Sequence, residues 1–235
     1  MTRRRFIADE VESNRAALTG AHAAHLSRVL RARIGQEFDI ALGEAVRRGT
    51  IVSVEDDRVI FELGEAVETH SQRPITIALA VFRFERFEWA VEKCTELGVL
   101  RIAPVITRRT DAHLAKAAEK RTERWRRIAQ EASEQSRRLA VPEILIPVKL
   151  REYVAREQAA KKIVLAENET EVQLRDICDG GDDIALAVGP EGGWATDELK
   201  LFAEAAWQNA SLGPTILRAE TAAIAALAII QNTGN

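Results

Sequence analysis

The stretch that decides the fold runs from residue 184 to residue 194 and reads IALAVGPEGGW. Its first half, Ile184 to Val188, is apolar throughout, which is typical of a strand covered by helices on both faces. Ile163 to Ala166 is a second run of this kind, and short apolar runs alternate with amphipathic helical patterns from Pro74 onward. This pattern predicts an α/β domain built on a parallel sheet.

The first seventy residues follow a different pattern. Residues 37–42, 49–54 and 58–63 are short alternating or β-branched runs separated by turn-forming residues, and a helix is predicted over 20–33. Short strands at this spacing predict a small β-barrel. The polar segment 68–74 ends in a proline and is interpreted as a linker, which gives two domains, 1–70 and 74–235.

The composition indicates a soluble protein of the cytoplasm. Of its 235 residues 46% are hydrophobic, yet no apolar run follows the basic N-terminus as a signal peptide requires. The longest apolar stretch, 222–230, is far shorter than the roughly 20 residues that span a bilayer, so no membrane partner is expected. Cys94 and Cys178 have no partner spacing, which predicts neither a disulfide nor a metal site.

The net charge of −3 conceals two basic zones. Residues 1–35 contain seven arginines against three acids, and residues 101–138 contain eleven Lys and Arg against five acids. A polyanion responds to the field within about 10 Å, so the local charge matters more than the sum. The zones indicate either a nucleic-acid partner or solvated arginine-rich helices.

Three loops follow predicted strands, at the edge of a parallel sheet where ligands bind. They are residues 166–168, 189–194 and 213–222. The glycines of the second loop would let the backbone approach a ligand, although a tight turn capped by Thr196 or Asp197 explains them equally well. In the third loop, Arg218 and Glu220 either pair with each other or face a ligand. Neither GxxxxGK[ST] nor GxGxxG occurs, which disfavours a phosphate cradle and a Rossmann-type enzyme.

These segments together resemble a known family. The glycine-rich loop 189–193 is followed by Leu212-Gly213 and by residues 216–222, ILRAETA. Residues 95–99 (TELGV), 131–136 (EASEQS) with Arg138, His25 and the N-terminal Arg4-Arg5-Phe6 match as well. In this order and spacing they resemble the ribosomal RNA small-subunit methyltransferase E family of the SPOUT superfamily, and the match covers nearly the whole chain.

Several positions depart from the family pattern, among them Ala219, where the family often has threonine. Arg137 stands where the family usually has glycine, and Thr215 stands where it often has arginine or lysine. Residues 85–87, Glu-Arg-Phe, replace a more usual Gly-Asp-Arg-type turn. Thr215 removes one potential phosphate contact and Arg137 adds one.

The resemblance implies a SPOUT-type parallel sheet with a C-terminal trefoil knot, preceded by a PUA-like β-barrel. It also implies S-adenosyl-L-methionine (SAM) as cofactor and a homodimer that completes the pocket. The cofactor-binding residues that it implies are Leu165, Ala166, Glu167, Gly189, Pro190, Glu191, Gly192, Gly193, Leu212, Gly213, Ile216, Leu217 and Arg218.

The implied reaction is methylation of N3 of a uridine in 16S ribosomal RNA, on the naked RNA or on the assembled small subunit. Uridine N3 must lose its proton, so a cation should stabilise the uridinate, and Arg218 is the candidate. Glu220 is a possible base, although pairing with Arg218 would make it a poor one. Gln135 and Arg138 are candidates for gripping the nucleotide.

The barrel is expected to bind RNA phosphates through its basic side chains. The candidates are Arg3, Arg4, Arg5, His25, Arg28 and Arg31. His22 shares a helix face with His25, but a metal site would lack further ligands.

Two alternatives stay open. A SPOUT enzyme could act on tRNA or 23S rRNA, on a base or on a ribose 2′-hydroxyl. A protein that binds RNA during ribosome assembly without catalysis would need no cofactor.

Overall fold

The computed structural model describes residues 4–43, 45–68, 73–180 and 183–233. It divides the chain into two compact units, residues 1–71 with 133–141 and residues 72–132 with 142–235. Most of the predicted linker, at residues 69–72, lies outside the described residues. The grouping of 133–141 with the first unit has no counterpart in the sequence pattern, because these residues continue and follow a long amphipathic helix.

The first unit is a curled six-stranded sheet in the order β1-β4-β5-β6-β3-β2. All its neighbouring strands are antiparallel except β1 and β4. The predicted strands at 37–42, 49–54 and 58–63 are confirmed, and three short strands precede them. The strands are β1 (Arg5–Ile7), β2 (Glu10–Glu12), β3 (Arg15–Thr19), β4 (Glu37–Ala41), β5 (Val46–Val54) and β6 (Arg58–Val67).

The helix predicted over 20–33 is shorter than expected. It consists of α1 (Gly20–Ala24) and a π-helical turn, His25–Val29. The backbone N–H of Leu30 bonds to the carbonyl of His25, five residues back, and Arg31 adopts a positive φ of 50° that ends the helix. Its inner side packs Ala23 and Leu26 against Phe6, Leu18 and Phe61 of the sheet, which forms the core of this unit.

The second unit is built on the predicted parallel sheet, in the order β10-β8-β7-β12-β11-β13, with β9 also paired to β8. Every neighbouring pair is parallel. The predicted strands 75–81, 101–106, 163–166 and 184–188 are confirmed to within two residues. The strands are β7 (Ile75–Ala80), β8 (Arg101–Ile106), β9 (Glu143–Ile144), β10 (Val148–Lys149), β11 (Lys161–Leu165), β12 (Ile184–Val188) and β13 (Gln208–Ala210).

Helices lie on both faces of this sheet, which explains the uninterrupted apolar strands. On one face α2 packs against α7, and α7 contacts β7 and β12; on the other face α4 packs against α6. Phe202 of α6 is fully buried, which stabilises the fold by roughly 1.5–3 kcal/mol. The helices are α2 (Phe84–Glu96), α3 (Ala112–Gln135), α4 (Leu150–Arg156), α5 (Leu174–Ile177), α6 (Thr196–Glu204) and α7 (Ala219–Asn232).

The apolar stretch 222–230 lies within α7, as the sequence predicts. In the part of the chain that the structure describes, the helices are too short or too polar to cross a bilayer.

Candidate functional site

A cavity of about 640 Å³ lies in the second unit, at the carboxyl ends of β11, β12 and β13. Its walls are the three loops that follow these strands, residues 165–170, 188–194 and 210–217, with Ala219 and Ala222 of α7. The volume is within the roughly 300–1,000 Å³ of small-molecule sites. The three loops singled out by the sequence therefore meet around one cavity.

Trp194 joins two of these loops. Its indole N–H donates a 2.9 Å hydrogen bond to the carbonyl of Leu165. The same ring lies against Gly189, where an added Cβ would approach Trp194 Cε2 to 3.2 Å. Gly189 is therefore glycine because the ring needs the space.

Two arginines from other strand ends hold the glycine-rich loop. Arg86, in the first turn of α2, donates a 2.8 Å hydrogen bond to the carboxylate of Glu191. Arg109, in the loop after β8, donates a hydrogen bond to the carbonyl of Gly192. The loop is thus fixed through one side chain and one backbone carbonyl.

The helix after this loop is capped differently from the expectation. Ala195, rather than Thr196 or Asp197, is the N-cap residue of α6, and it has no side chain that could cap. Instead the buried carboxylate of Glu198 accepts hydrogen bonds from the backbone N–H groups of Ala195, at 2.9 Å, and Arg108, at 2.8 Å. The start of α6 is therefore capped, as a tight turn into a helix requires, but the capping side chain is that of Glu198.

Acidic side chains predominate around the cavity. Glu167, Glu169 and Glu191 line it, and Glu191 is paired with Arg86; among the described lining residues, Arg109 is the one arginine. The backbone N–H groups of Val172 and Glu171 donate to the Glu169 carboxylate and lower its pKa, so this group is ionised at neutral pH. The cavity therefore favours a ligand with positive charge.

Twelve of the thirteen residues expected to bind the cofactor line this cavity. They are Leu165, Ala166, Glu167, Gly189, Pro190, Glu191, Gly192, Gly193, Leu212, Gly213, Ile216 and Leu217. Arg218 does not line it; its side chain is exposed at the N-cap of α7, between Leu217 and Ala219, which both do.

The Arg218–Glu220 pair considered from the sequence is not formed. Glu220 is buried, 4% exposed, and its carboxylate lies 3.7 Å from Nε of Arg86. Arg86 therefore lies between Glu191 and Glu220, and it connects the glycine-rich loop to the start of α7. Arg86 gives little signal in the sequence, since a single arginine on an amphipathic helix is usually solvent-exposed.

Most of the basic side chains predicted to bind RNA are exposed in the first unit. Arg4, His25, Arg28 and Arg31 are exposed, and Arg28 forms a surface ion pair with Asp56 at 3.1 Å. Arg5 is partly buried and donates a 2.8 Å hydrogen bond to the carbonyl of Arg137. Arg3 lies outside the described residues.

Both ring nitrogens of His22 contact carboxylates. Its Nδ1 lies 2.9 Å from Asp9 and its Nε2 lies 3.0 Å from Glu134. The hydrogen bond to Glu134 and the negative charge of Asp9 outweigh burial and raise the pKa of His22 to about 9. Among the described residues, no group of three or more His, Cys, Asp or Glu side chains is arranged to hold a metal ion.

Gln135 and Arg138 belong to the first unit and are not among the residues that line the cavity. Gln135 is exposed at the last residue of α3, and Arg138 is partly buried. Burial lowers the pKa of Arg138 to about 10, which still leaves it charged at neutral pH.

Comparison with known proteins identifies the family. The model of the RNA methyltransferase domain matches residues 69–231. The ribosomal RNA small subunit methyltransferase E of Synechocystis is 33% identical over 91% of this chain and 71% of its own length. This chain belongs to the ribosomal RNA small subunit methyltransferase E family.

Solved structures of small subunit methyltransferase E and of a related protein have the same fold. The enzyme of Neisseria gonorrhoeae, solved with SAM bound, is 31% identical, with a TM-score of 0.86 over 98% of this chain and 97% of its own. A protein of Legionella pneumophila, also solved with SAM as bound cofactor, is 29% identical, with a TM-score of 0.85 over 100% of this chain and 99% of its own.

Proposed function

We propose that this chain methylates N3 of a uridine in 16S ribosomal RNA with SAM as methyl donor. The observation that carries the proposal is the cavity of about 640 Å³ at which the three loops meet. Family membership supports the methyltransferase activity, and the two SAM-bound relatives support the cofactor. The small ribosomal subunit as substrate is supported by the relatives' names.

The cavity fits SAM in size, charge and loop conformation. SAM carries a sulfonium and an ammonium group, and the carboxylates of Glu167 and Glu169 line the cavity. Gly189 leaves room for the Trp194 ring that joins two of the loops, and Gly193 adopts a positive φ of 69° that favours glycine. When bound, SAM supplies an electrophilic methyl group; the residues of the chain orient it and exclude water.

The chain must also stabilise a uridinate. In the proposal Arg218, exposed beside the cavity-lining Leu217, is the cation that does so, because a guanidinium keeps its charge. Gln135 and Arg138 grip the nucleotide. The burial of Glu220 and its ion pair with Arg86 favour a role in positioning α7 over a role as base.

The first unit is proposed to be a PUA-like RNA-binding domain, 1–70, ahead of a knotted SPOUT domain, 74–235. Its exposed Arg4, Arg28 and Arg31, with His25, support this assignment, since arginines neutralise phosphates. The meeting of loop 210–217 with the two preceding loops is compatible with a trefoil knot.

We place the protein in the cytoplasm as a homodimer. Among the described residues of α7, Ile224, Ala225, Ala228 and Ile229 are only partly buried within one chain. Such an apolar face supports burial against a second copy.

The test is mass spectrometry of digested 16S rRNA from cells with and without the gene. The expected result is loss of one N3-methyluridine, restored by the wild-type gene. An unchanged 16S profile together with a lost modification in tRNA or 23S rRNA would support the alternative SPOUT activity. If calorimetry detected no SAM binding, a non-catalytic RNA-binding role would be favoured.

A further inference from the structure

A second cavity of about 440 Å³ borders the same glycine-rich loop. It is formed by residues 81–83 after β7, by Arg109, Asp111, His113 and Leu114 after β8, and by residues 190–192. Arg109 and residues 190–192 line both cavities, so the two sites share one wall.

The basic side chains of the second cavity have unused hydrogen-bond donors. Arg83 is exposed and forms no ion pair or side-chain hydrogen bond with any residue within 4–43, 45–68, 73–180 or 183–233. Arg109 donates to the Gly192 carbonyl, which leaves its charge unneutralised. His113 is exposed at the start of α3.

One of the two carboxylates of the cavity is neutralised. Glu191 is paired with Arg86 at 2.8 Å. Asp111 accepts a 2.7 Å hydrogen bond from the backbone N–H of His113 at the start of α3 and keeps its charge. Arg83 and Arg109 together outweigh Asp111, so the net charge left to a ligand is positive, in contrast to the acidic first cavity.

The rest of the lining is apolar. Val81, Phe82, Leu114 and Pro190 form the walls, and Phe82 is 4% exposed. Apolar walls beside free arginines suit a nucleotide, whose ribose and base need contact area and whose phosphate needs cations.

We propose that the second cavity, with Arg83 and Arg109 as its cations, holds the phosphate and ribose of the RNA strand at the methylated nucleotide. This inference rests on the proposed function and assigns the position at which its RNA substrate binds. The shared wall sets the RNA beside the cofactor cavity, as transfer between them requires.

Arg83→Ala tests the proposal, with Arg83→Lys as the charge-keeping variant and Arg156→Ala, an exposed arginine at the end of α4, as matched control. The probe is the small ribosomal subunit purified from cells lacking the gene. Affinity is measured at several salt concentrations, and SAM binding is measured by calorimetry.

Arg83→Ala is expected to weaken subunit binding roughly ten-fold, as for loss of a charged hydrogen bond. It should also lower the slope of log affinity against log salt by about one. Arg83→Lys should keep the wild-type dependence of affinity on salt, because it keeps the charge. All variants should bind SAM as the wild type does.

The inference is overturned if Arg83→Ala keeps wild-type affinity and salt slope while the wild type binds and methylates the subunit. It is also overturned if Arg83→Ala instead changes the sedimentation coefficient, because the cavity would then be an interface between copies. Failure of the wild type to bind SAM or to methylate would contradict the proposed function itself.

Discussion

Arg86 forms an ion pair with the buried carboxylate of Glu220, at 3.7 Å, while its guanidinium also donates to Glu191 at 2.8 Å. The second oxygen of Glu220, Oε2, is buried and has no hydrogen-bond partner among the described residues. Arg86 is therefore the nearest positive charge that the structure records for this carboxylate, and it also fixes the loop that lines the cavity.

Arg86→Ala should weaken both the fold and SAM binding. Leaving a buried acceptor without its partner costs about 1–3 kcal/mol in the free energy of unfolding. The freed glycine-rich loop should lower SAM affinity by roughly ten-fold, about 1.4 kcal/mol. Urea denaturation and calorimetric titration with SAM measure the two effects.

The double variant Arg86→Ala/Glu220→Gln separates these effects. A neutral amide is less costly to bury unpaired than a carboxylate, so part of the stability should return. SAM affinity should stay low, because Glu191 still lacks its partner. Full SAM affinity in Arg86→Ala would show that this ion pair does not position the loop.

Gly189→Ala should disturb the cavity by overpacking. The new Cβ would lie 3.2 Å from the Trp194 ring, which is held by its hydrogen bond to Leu165. Forcing the ring aside costs about 1–3 kcal/mol and moves two walls of the cavity. Calorimetry with SAM should show a loss of at least roughly ten-fold, by the same free-energy scale.

Gly64→Ala is the control, because its added Cβ would meet Arg48 only at 3.4 Å, in the first unit. It should leave SAM affinity unchanged. Equal affinities for the Gly189→Ala variant and the wild type would mean that the Trp194 ring can move without consequence for the site.

The sequence predicts the parallel sheet and the three loops because both depend on local pattern. A strand buried on both faces must be apolar throughout, so both ends of the strand 184–188 are predicted correctly. The loops at the carboxyl ends of such strands must then lie at one edge of the sheet. Twelve residues of the expected cofactor site accordingly line one cavity.

The ion pairs that hold the loops could not be predicted in this way. Arg86 and Glu191 are 105 residues apart, and any of many surface arginines could have met that carboxylate. The pairing depends on how the first turn of α2 lies against the loop after β12, which leaves no periodic signal. The same holds for residues 133–141, whose grouping with the first unit rests on contacts such as that of His22 with Glu134.

Arg137→Gly should stabilise the protein. Arg137 follows the end of α3 with a φ of 58°, the left-handed conformation that favours glycine after a helix, which accounts for the glycine usual in the family. Glycine relieves the strain of the left-handed conformation but loses more backbone entropy on folding. The net expected gain in the free energy of unfolding is about 0.5–1 kcal/mol. Urea denaturation measures it.

The matched control is Arg127→Gly, which removes an equal charge from an exposed position inside α3. There glycine should destabilise by about 1 kcal/mol, because it weakens a helix interior. If the two variants lost the same free energy of unfolding, the left-handed conformation of Arg137 would not be strained. The hydrogen bond from Arg5 to the carbonyl of residue 137 is kept in the glycine variant, since it involves only the backbone.

His22 should make stability depend on pH. Glu134 and Asp9 raise its pKa from 6.5 to about 9, so the folded protein binds the proton more tightly than the unfolded chain. The resulting stabilisation is fully present below pH 6.5 and is lost as the pH rises through about 9.

The melting temperature of His22→Gln should therefore be lower than that of the wild type at pH 6 and approach it by pH 10. His25→Gln, an exposed histidine of the next helical turn, should follow the wild type throughout. A deficit of His22→Gln that stayed constant across this range would show that His22 contributes by packing and not by its charge.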